Sequence, residues 1–148
     1  MKRHPSLAHL SREHHGALIL ARLLQKDAPA YKGLPTEPAE KAAYALRFYK
    51  EKLIKHFEEE EKMLKLVSGV STELNFLVQK ILREHQELHV SFQSISDHFR
   101  VTAHLDELGR ALEIHIRKEE RELFPLIEES AGENVLTAID RSLSSHSQ

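Results

Sequence analysis

Two segments of the chain carry the same arrangement of histidine and glutamate. His56 is followed by Glu60 four residues later, and His115 is followed by Glu119 at the same spacing. Four residues make slightly more than one turn of an α-helix, so each pair places both side chains on one helix face. Imidazole nitrogens and carboxylate oxygens are ligands that first-row metal ions accept. The two pairs therefore indicate metal binding by two helices.

Further histidines stand at matching positions in the two halves of the chain. Glu13 precedes His14, Glu84 precedes His85, and His89 comes four residues after His85. Taken with the two His–Glu pairs, the first half of the sequence resembles the second half. We therefore expect a structure with pseudo-two-fold symmetry, in which the matched histidines lie at similar depth.

Apolar residues surround these positions at alternating steps of three and four, which is the stripe of a buried helix face. The four stripes are Leu7, Leu10, His14, Ala17, Ala21 and Leu24; Leu46, Tyr49, Leu53, His56, Glu60, Met63 and Val67; Leu74, Val78, Ile81, His85, Leu88, Phe92, Ile95 and Phe99; and Leu105, Leu108, Leu112, His115, Glu119, Leu123 and Leu126. Loop-forming residues separate them at 27–38, at 68–71 and more weakly near 99–102. The pattern predicts an all-α fold, an antiparallel up-down-up-down four-helix bundle with a short C-terminal helix at 133–143.

Composition limits the class of protein. The chain of 148 residues predicts a single domain over 1–148, and its net charge of −2 comes from interspersed charges without a basic stripe for nucleic acid. No apolar run approaches the roughly 20 residues that span a bilayer, and the N-terminus is too polar for a signal peptide. The absence of cysteine excludes disulfides, thiolate zinc sites and iron–sulfur clusters. We therefore expect a cytoplasmic protein that binds neither nucleic acid nor membrane.

Seven ionisable residues lie on or beside the stripes, where a helix bundle normally carries leucine. They are His14, His56, Glu60, His85, His89, His115 and Glu119. Buried without partners, such groups would each cost about 1–3 kcal/mol, whereas two divalent cations would compensate them. The set is too large for one tetrahedral zinc ion, which takes four ligands. Nitrogen and oxygen donors without sulfur favour iron, with manganese or zinc as substitutes.

The order and spacing of these motifs resemble the hemerythrin family, specifically its bacterial HHE cation-binding branch, over residues from about Ser6 to Leu126. The resemblance implies two non-haem iron ions with a bridging oxo or hydroxo group. By position in the family, His85, His89 and His115 would bind one iron, His14 and His56 would bind the other, and Glu60 and Glu119 would bridge them. The iron bound by two histidines would keep an open position for O2.

Several assignments stay open in the sequence. His15 is the alternative to His14 as a ligand, and Glu120 is the alternative to Glu119 as a bridge. Tyr49 is interpreted as a core residue, with a hydroxyl near the irons as the alternative. The remaining histidines are interpreted as surface residues: His4, His9, His98, His104 and His146.

The resemblance also bears on function. It implies a non-enzymatic module, monomeric or homodimeric, that binds O2 or NO reversibly for storage or sensing. The alternatives are a di-iron enzyme acting on peroxide or nitric oxide, and a protein of iron homeostasis or iron–sulfur repair.

Overall fold

The computed structural model describes residues 3–97 and 100–144, and its regular elements are helices. They are α1 (Pro5–Leu23), α2 (Pro38–Phe48), α3 (Ile54–Leu66), α4 (Thr72–Gln93), α5 (Val101–Lys118), α6 (Phe124–Ser130) and α7 (Glu133–Ser144). The all-α prediction is confirmed, while the stripe position Phe99 and the histidines at 98 and 146 lie outside the described residues. Within the described ranges, no helix has both the length and the apolar character needed to cross a membrane.

Two π-helical turns join pairs of helices without a break. Tyr49–Leu53 connects α2 to α3, and Glu119–Leu123 connects α5 to α6. A π-turn holds an extra residue relative to an α-helical turn, so the buried face shifts along the sequence. Ala45 and Ile127 are therefore buried, whereas Leu46 and Leu126 are only partly buried. Leu46 and Leu126 still pack against the core, but at the edge of the buried face.

The helices pack as neighbours in a bundle. Helix α1 contacts α3 and α5, and α4 also contacts α3 and α5. The predicted C-terminal helix is present as α7, which packs on α1 and α3 through Leu136, Ile139 and Leu143. The up-down-up-down antiparallel order stays a prediction.

Close approach of α1 and α5 depends on a glycine. Gly109 is buried in α5, and a Cβ atom at that position would lie 2.5 Å from the carbonyl oxygen of Ala21 and 3.0 Å from Cβ of Leu24. Real Cβ atoms do not approach backbone so closely, because the packed interior leaves no spare volume. Glycine at this position therefore sets the separation of two helices that carry candidate ligands.

The apolar core consists of two clusters with a polar layer between them. One cluster is built from Leu7, Leu10, Met63, Leu64, Leu74, Ile81, Leu123, Phe124, Ile127, Leu136 and Ile139, among others. The other includes Ala17, Tyr49, Leu53, Phe57, Leu88, Phe92, Leu105, Leu112 and Ile116. The switch from one cluster to the other occurs at His14 in α1 and at His85 in α4, and at Glu60 and Glu119 in the other two segments. The polar layer, defined as His14, His56, Glu60, His85, His115 and Glu119, is thus enclosed by apolar side chains on both sides.

Candidate metal centre

Four helical segments contribute to the polar layer. Its six side chains come from α1, α3, α4, and α5 with its adjoining π-turn, and each residue is 4% exposed or less. Buried charge and buried imidazole are costly unless each group has a partner. The arrangement of the donor atoms therefore decides what the layer can do.

A first donor set is formed by His14, His56, Glu60 and Glu119, whose ligand atoms lie within 4.8 Å of one another. Nε2 of His56 is 3.2 Å from Oε2 of Glu60. Nε2 of His14 is 3.0 Å from Oε1 of Glu119 and 3.6 Å from Oε2 of Glu60. Two imidazole nitrogens and two carboxylate oxygens thus face one point.

A second donor set is formed by His85, His115 and the same two glutamates. Nε2 of His85 is 2.8 Å from Oε1 of Glu60 and 3.6 Å from Oε2 of Glu119. Nε2 of His115 is 3.2 Å from Oε2 of Glu119. Each glutamate therefore presents one oxygen to each donor set, which is the arrangement of a bridging carboxylate.

Both donor sets meet the requirements of metal ions. Five inward atoms have no hydrogen-bond partner among the described residues: Nε2 of His14, Oε2 of Glu60, Nε2 of His115, and both carboxylate oxygens of Glu119. Two donor atoms each about 2.1 Å from one ion are about 3.0 Å apart at right angles and about 3.4 Å apart at tetrahedral angles. The distances across each set fall around these values. A cation in each set would coordinate atoms that otherwise have no hydrogen bond.

The outer nitrogens of the four imidazoles each bond a second carboxylate. The pairs are His14 Nδ1 with Glu120 Oε2 at 2.6 Å, His56 Nδ1 with Glu13 Oε1 at 2.8 Å, His85 Nδ1 with Glu61 Oε2 at 2.8 Å, and His115 Nδ1 with Glu84 Oε1 at 2.8 Å. A carboxylate accepts the Nδ1 proton, which leaves the Nε2 lone pair directed at the layer in the neutral imidazole. This second ring of carboxylates fixes the tautomer that a metal ligand needs.

The same contacts determine the protonation states of the buried histidines and glutamates. Burial lowers the pKa of His14 and His85, but the surrounding carboxylates outweigh burial and raise the pKa of each to about 12. Burial raises the pKa of Glu60, yet its interactions with the neighbouring side chains of the layer, above all the histidines, hold that pKa well below its usual value. The metal-free layer therefore carries imidazolium and carboxylate together. A metal ion would replace those protons, because it binds the neutral ring.

The structure places the other candidate residues away from the inward-facing atoms. His89 is only half-buried and lies outside both donor sets, where its Nδ1 is 2.6 Å from the hydroxyl of Tyr49. Burial lowers the pKa of His89. His15 is exposed on α1, whereas Glu120 bonds the outer nitrogen of His14. Ligation by His89 stays a prediction.

The sequence interpretation did not assign the outer carboxylates of Glu13, Glu84 and Glu120 to particular histidines. A signal was present, because a glutamate directly precedes both His14 and His85. The cross-helix partners could not be read from spacing, since each bond joins two helices. Glu61 likewise bonds a histidine of another helix, His85.

Two surface clefts lead towards the layer from different sides. A cleft of about 460 Å³ is lined by Glu84, His104 and His115, among others. A cleft of about 380 Å³ is lined by Glu13, Gly16 and His56, among others. Each cleft reaches one imidazole and the carboxylate that bonds its outer nitrogen.

Comparison with known families agrees with this geometry. The family model described as the hemerythrin HHE cation binding domain matches residues 5–127, which include the whole polar layer. Comparisons with curated proteins and with solved structures found no match. The family match confirms the resemblance recognised in the motifs. The chain therefore belongs to the hemerythrin family, as a hemerythrin HHE cation-binding domain.

Proposed function

We propose that this protein holds two iron ions in an antiparallel four-helix bundle and binds dioxygen reversibly, for storage or sensing. One observation carries the proposal: Glu60 and Glu119 each direct one oxygen to the first donor set and the other oxygen to the second. Shared carboxylates hold two cations close together, which a mononuclear site does not require. Two adjacent ferrous ions held there would supply electrons and free coordination positions for a diatomic ligand.

The donor types support iron. Each set offers two imidazole nitrogens and two carboxylate oxygens without sulfur, a composition that suits iron and tolerates manganese or zinc. Four protein donors leave positions open on an ion that prefers six ligands. His14, His56, His85 and His115 would each bind through Nε2, and Glu60 and Glu119 would bridge.

The surroundings support reversible binding of a small neutral molecule. The apolar cluster on one side of the layer includes the buried side chains of Phe57, Leu88 and Ile116. The centroid of the Phe57 ring lies 4.5 Å from the centroid of the His85 ring. Apolar walls keep bulk water away and so limit proton delivery to a bound ligand. A carrier or sensor needs this dryness, because protons would drive irreversible oxidation.

The test is anaerobic loading with Fe(II), a count of iron per chain and exposure to air. We expect two irons per chain and a charge-transfer absorption that develops with O2 and disappears on deoxygenation. One iron per chain would contradict the dinuclear proposal. Irreversible conversion to a stable ferric product would contradict reversible binding.

One feature favours a second candidate, an enzyme that consumes peroxide or nitric oxide. The hydroxyl of Tyr49 is hydrogen-bonded to His89, and the Phe57 ring packs beside both His85 and His89. A buried phenol paired with an imidazole can deliver a proton or an electron. The iron-loaded chain would then consume peroxide or NO over many turnovers, and Tyr49→Phe would slow that consumption without loss of iron.

A further inference from the structure

We propose a third cation site, formed by His9, Glu13 and Glu59 on the outer side of the first donor set. His9 and Glu13 are one turn apart on α1, and Glu59 reaches them from α3. The ligand atoms of all three residues lie within 4.8 Å of one another. The site would take a divalent first-row cation.

The geometry leaves this cluster without an adequate donor. Nε2 of His9 is 3.5 Å from Oε2 of Glu13 and 3.5 Å from Oε2 of Glu59, too far for strong hydrogen bonds. Glu59 is only 3% exposed, and its Oε1 has no hydrogen-bond partner among the described residues. A buried carboxylate oxygen needs a hydrogen bond or a cation. A metal ion between the three side chains would supply that partner.

The second half of the chain provides an internal comparison. By the sequence repeat, the positions that correspond to His9, Glu13 and Glu59 are Lys80, Glu84 and Lys118. Glu84 uses Oε1 to accept from Nδ1 of His115 and Oε2 to bind the ammonium of Lys118.

The first half has the same inner bond, from Nδ1 of His56 to Oε1 of Glu13. The other oxygen of Glu13, however, lies near a second carboxylate, that of Glu59. In the second half of the chain, the equivalent oxygen of Glu84 is bound by the ammonium of Lys118. A positive charge that the protein supplies in one half is thus replaced by an acidic side chain in the other. Beyond the bond to His56, His9 and Lys55 act on Glu13 only as nearby charges that lower its pKa. This asymmetry indicates that a cation from solution takes the equivalent place.

The residue types define the class of ion. One imidazole and two carboxylates suit Mn(II), Fe(II) or Zn(II), and three protein ligands leave positions for water. The side chains of His9 and Glu13 are 39% and 33% exposed, so the ion exchanges with solvent. Because Glu13 also bonds His56, a cation here would share a carboxylate with the outer contacts of the first donor set.

The experiment counts Mn(II) bound per chain near neutral pH, by equilibrium dialysis with electron paramagnetic resonance of free Mn(II). Glu59→Lys introduces the residue type found at the equivalent position of the other half. We expect this variant to bind one Mn(II) fewer than the wild type. Equal stoichiometry in the two proteins would overturn the proposal.

His9→Gln provides an independent variant, since His9 is partly exposed and lies outside both buried donor sets. Its matched control is Lys80→Gln, the same position in the other half. We expect His9→Gln to lose one Mn(II) and Lys80→Gln to lose none. A loss in both variants, or in neither, would contradict the site. The result is the difference between variant and wild type in the number of bound Mn(II) ions per chain. It therefore does not depend on whether the buried donor sets accept Mn(II).

Discussion

At the scale of single residues, the two nitrogens of each buried imidazole have different roles. Nε2 faces the polar layer, and Nδ1 is held by a carboxylate at 2.6–2.8 Å. The carboxylate orients the ring and increases its basicity as a ligand. The four outer glutamates should therefore control the affinity of the two buried donor sets without contributing to either set.

Glu61→Gln tests this role, because Glu61 holds His85 and contributes to neither donor set. An amide is a weaker acceptor than a carboxylate, so the ring loses its fixed orientation. We expect the affinity for one of the two buried ions to fall about 10–100-fold. Competition with a chromophoric chelator measures this change. The control is Glu58→Gln, an exposed neighbour on the same helix; equal affinities in the two variants would contradict the role.

His89→Ala separates two roles for that histidine. The resemblance assigns His89 to an iron, whereas the structure gives it a hydrogen bond to Tyr49 outside both donor sets. Because each set has four donors without His89, we expect the variant to retain two bound ions. His85→Ala should lose at least one. Metal analysis of the purified proteins distinguishes the two roles, and loss of an ion from His89→Ala would support His89 as a ligand.

The inward-facing residues could be predicted because helical periodicity fixes which side chains share a face. His14, His56, His85 and His115 all followed from their places on the stripes, and all are buried. Periodicity carries no information about rotation of one helix against another. The bonds of Glu84 and Glu120 to histidines of other segments therefore needed the structure.

At the scale of elements, the π-turns and glycines are what the stripes could not reveal. A π-turn changes the buried face by one residue, and no residue type in Tyr49–Leu53 or Glu119–Leu123 distinguishes it from an α-helical turn. Glu119 itself begins one of these turns. This π-turn thus lies at the point where the chain directs the carboxylate of Glu119 at the donor sets.

Replacing glycine by alanine is expected to have opposite effects on stability at two positions inside helices. Gly109→Ala would place Cβ 2.5 Å from the carbonyl oxygen of Ala21, so α1 and α5 must separate. We expect a loss of about 1–3 kcal/mol in the free energy of unfolding. Gly16→Ala meets only Phe48 at 3.6 Å, an ordinary contact, so the helix should gain about 0.5–1 kcal/mol.

Urea denaturation of both variants measures these changes in the metal-free chain. Stabilisation by Gly109→Ala would show that the helices are free to move apart, and would contradict glycine as the determinant of their separation.

At the scale of the whole molecule, the two halves are alike around the layer and unlike outside it. Each half supplies two imidazoles, one glutamate shared by both donor sets, and two outer carboxylates. Outside them, Lys118 binds Glu84 in one half, while Arg3 and Ser11 bind Glu120 across the halves. The symmetric interior suits two equivalent ions, and the asymmetric exterior gives the two donor sets different access and charge.

The layer also links metal binding, protons and the stability of the whole fold. In the metal-free chain, carboxylates outweigh burial and raise the pKa of His14 and His85 to about 12, from 6.5 in the unfolded chain. A raised pKa means that the folded state holds protons that the unfolded state has released. Its stabilising contribution is fully present below pH 6.5 and is lost as the pH rises towards about 12.

We therefore expect the Tm of the metal-free chain to fall between about pH 7 and about pH 9, because the unfolded state gains relative stability as protons become scarce. A bound metal ion takes the neutral imidazole, so the same change of pH removes its competitor and strengthens binding. The rise in Tm on adding Mn(II) should consequently be larger at the higher pH. Thermal denaturation followed by circular dichroism, with chelator or with Mn(II), measures both trends. A metal-free Tm that is constant or increasing over this range would mean that the buried histidines are not held protonated by Glu60 and Glu119.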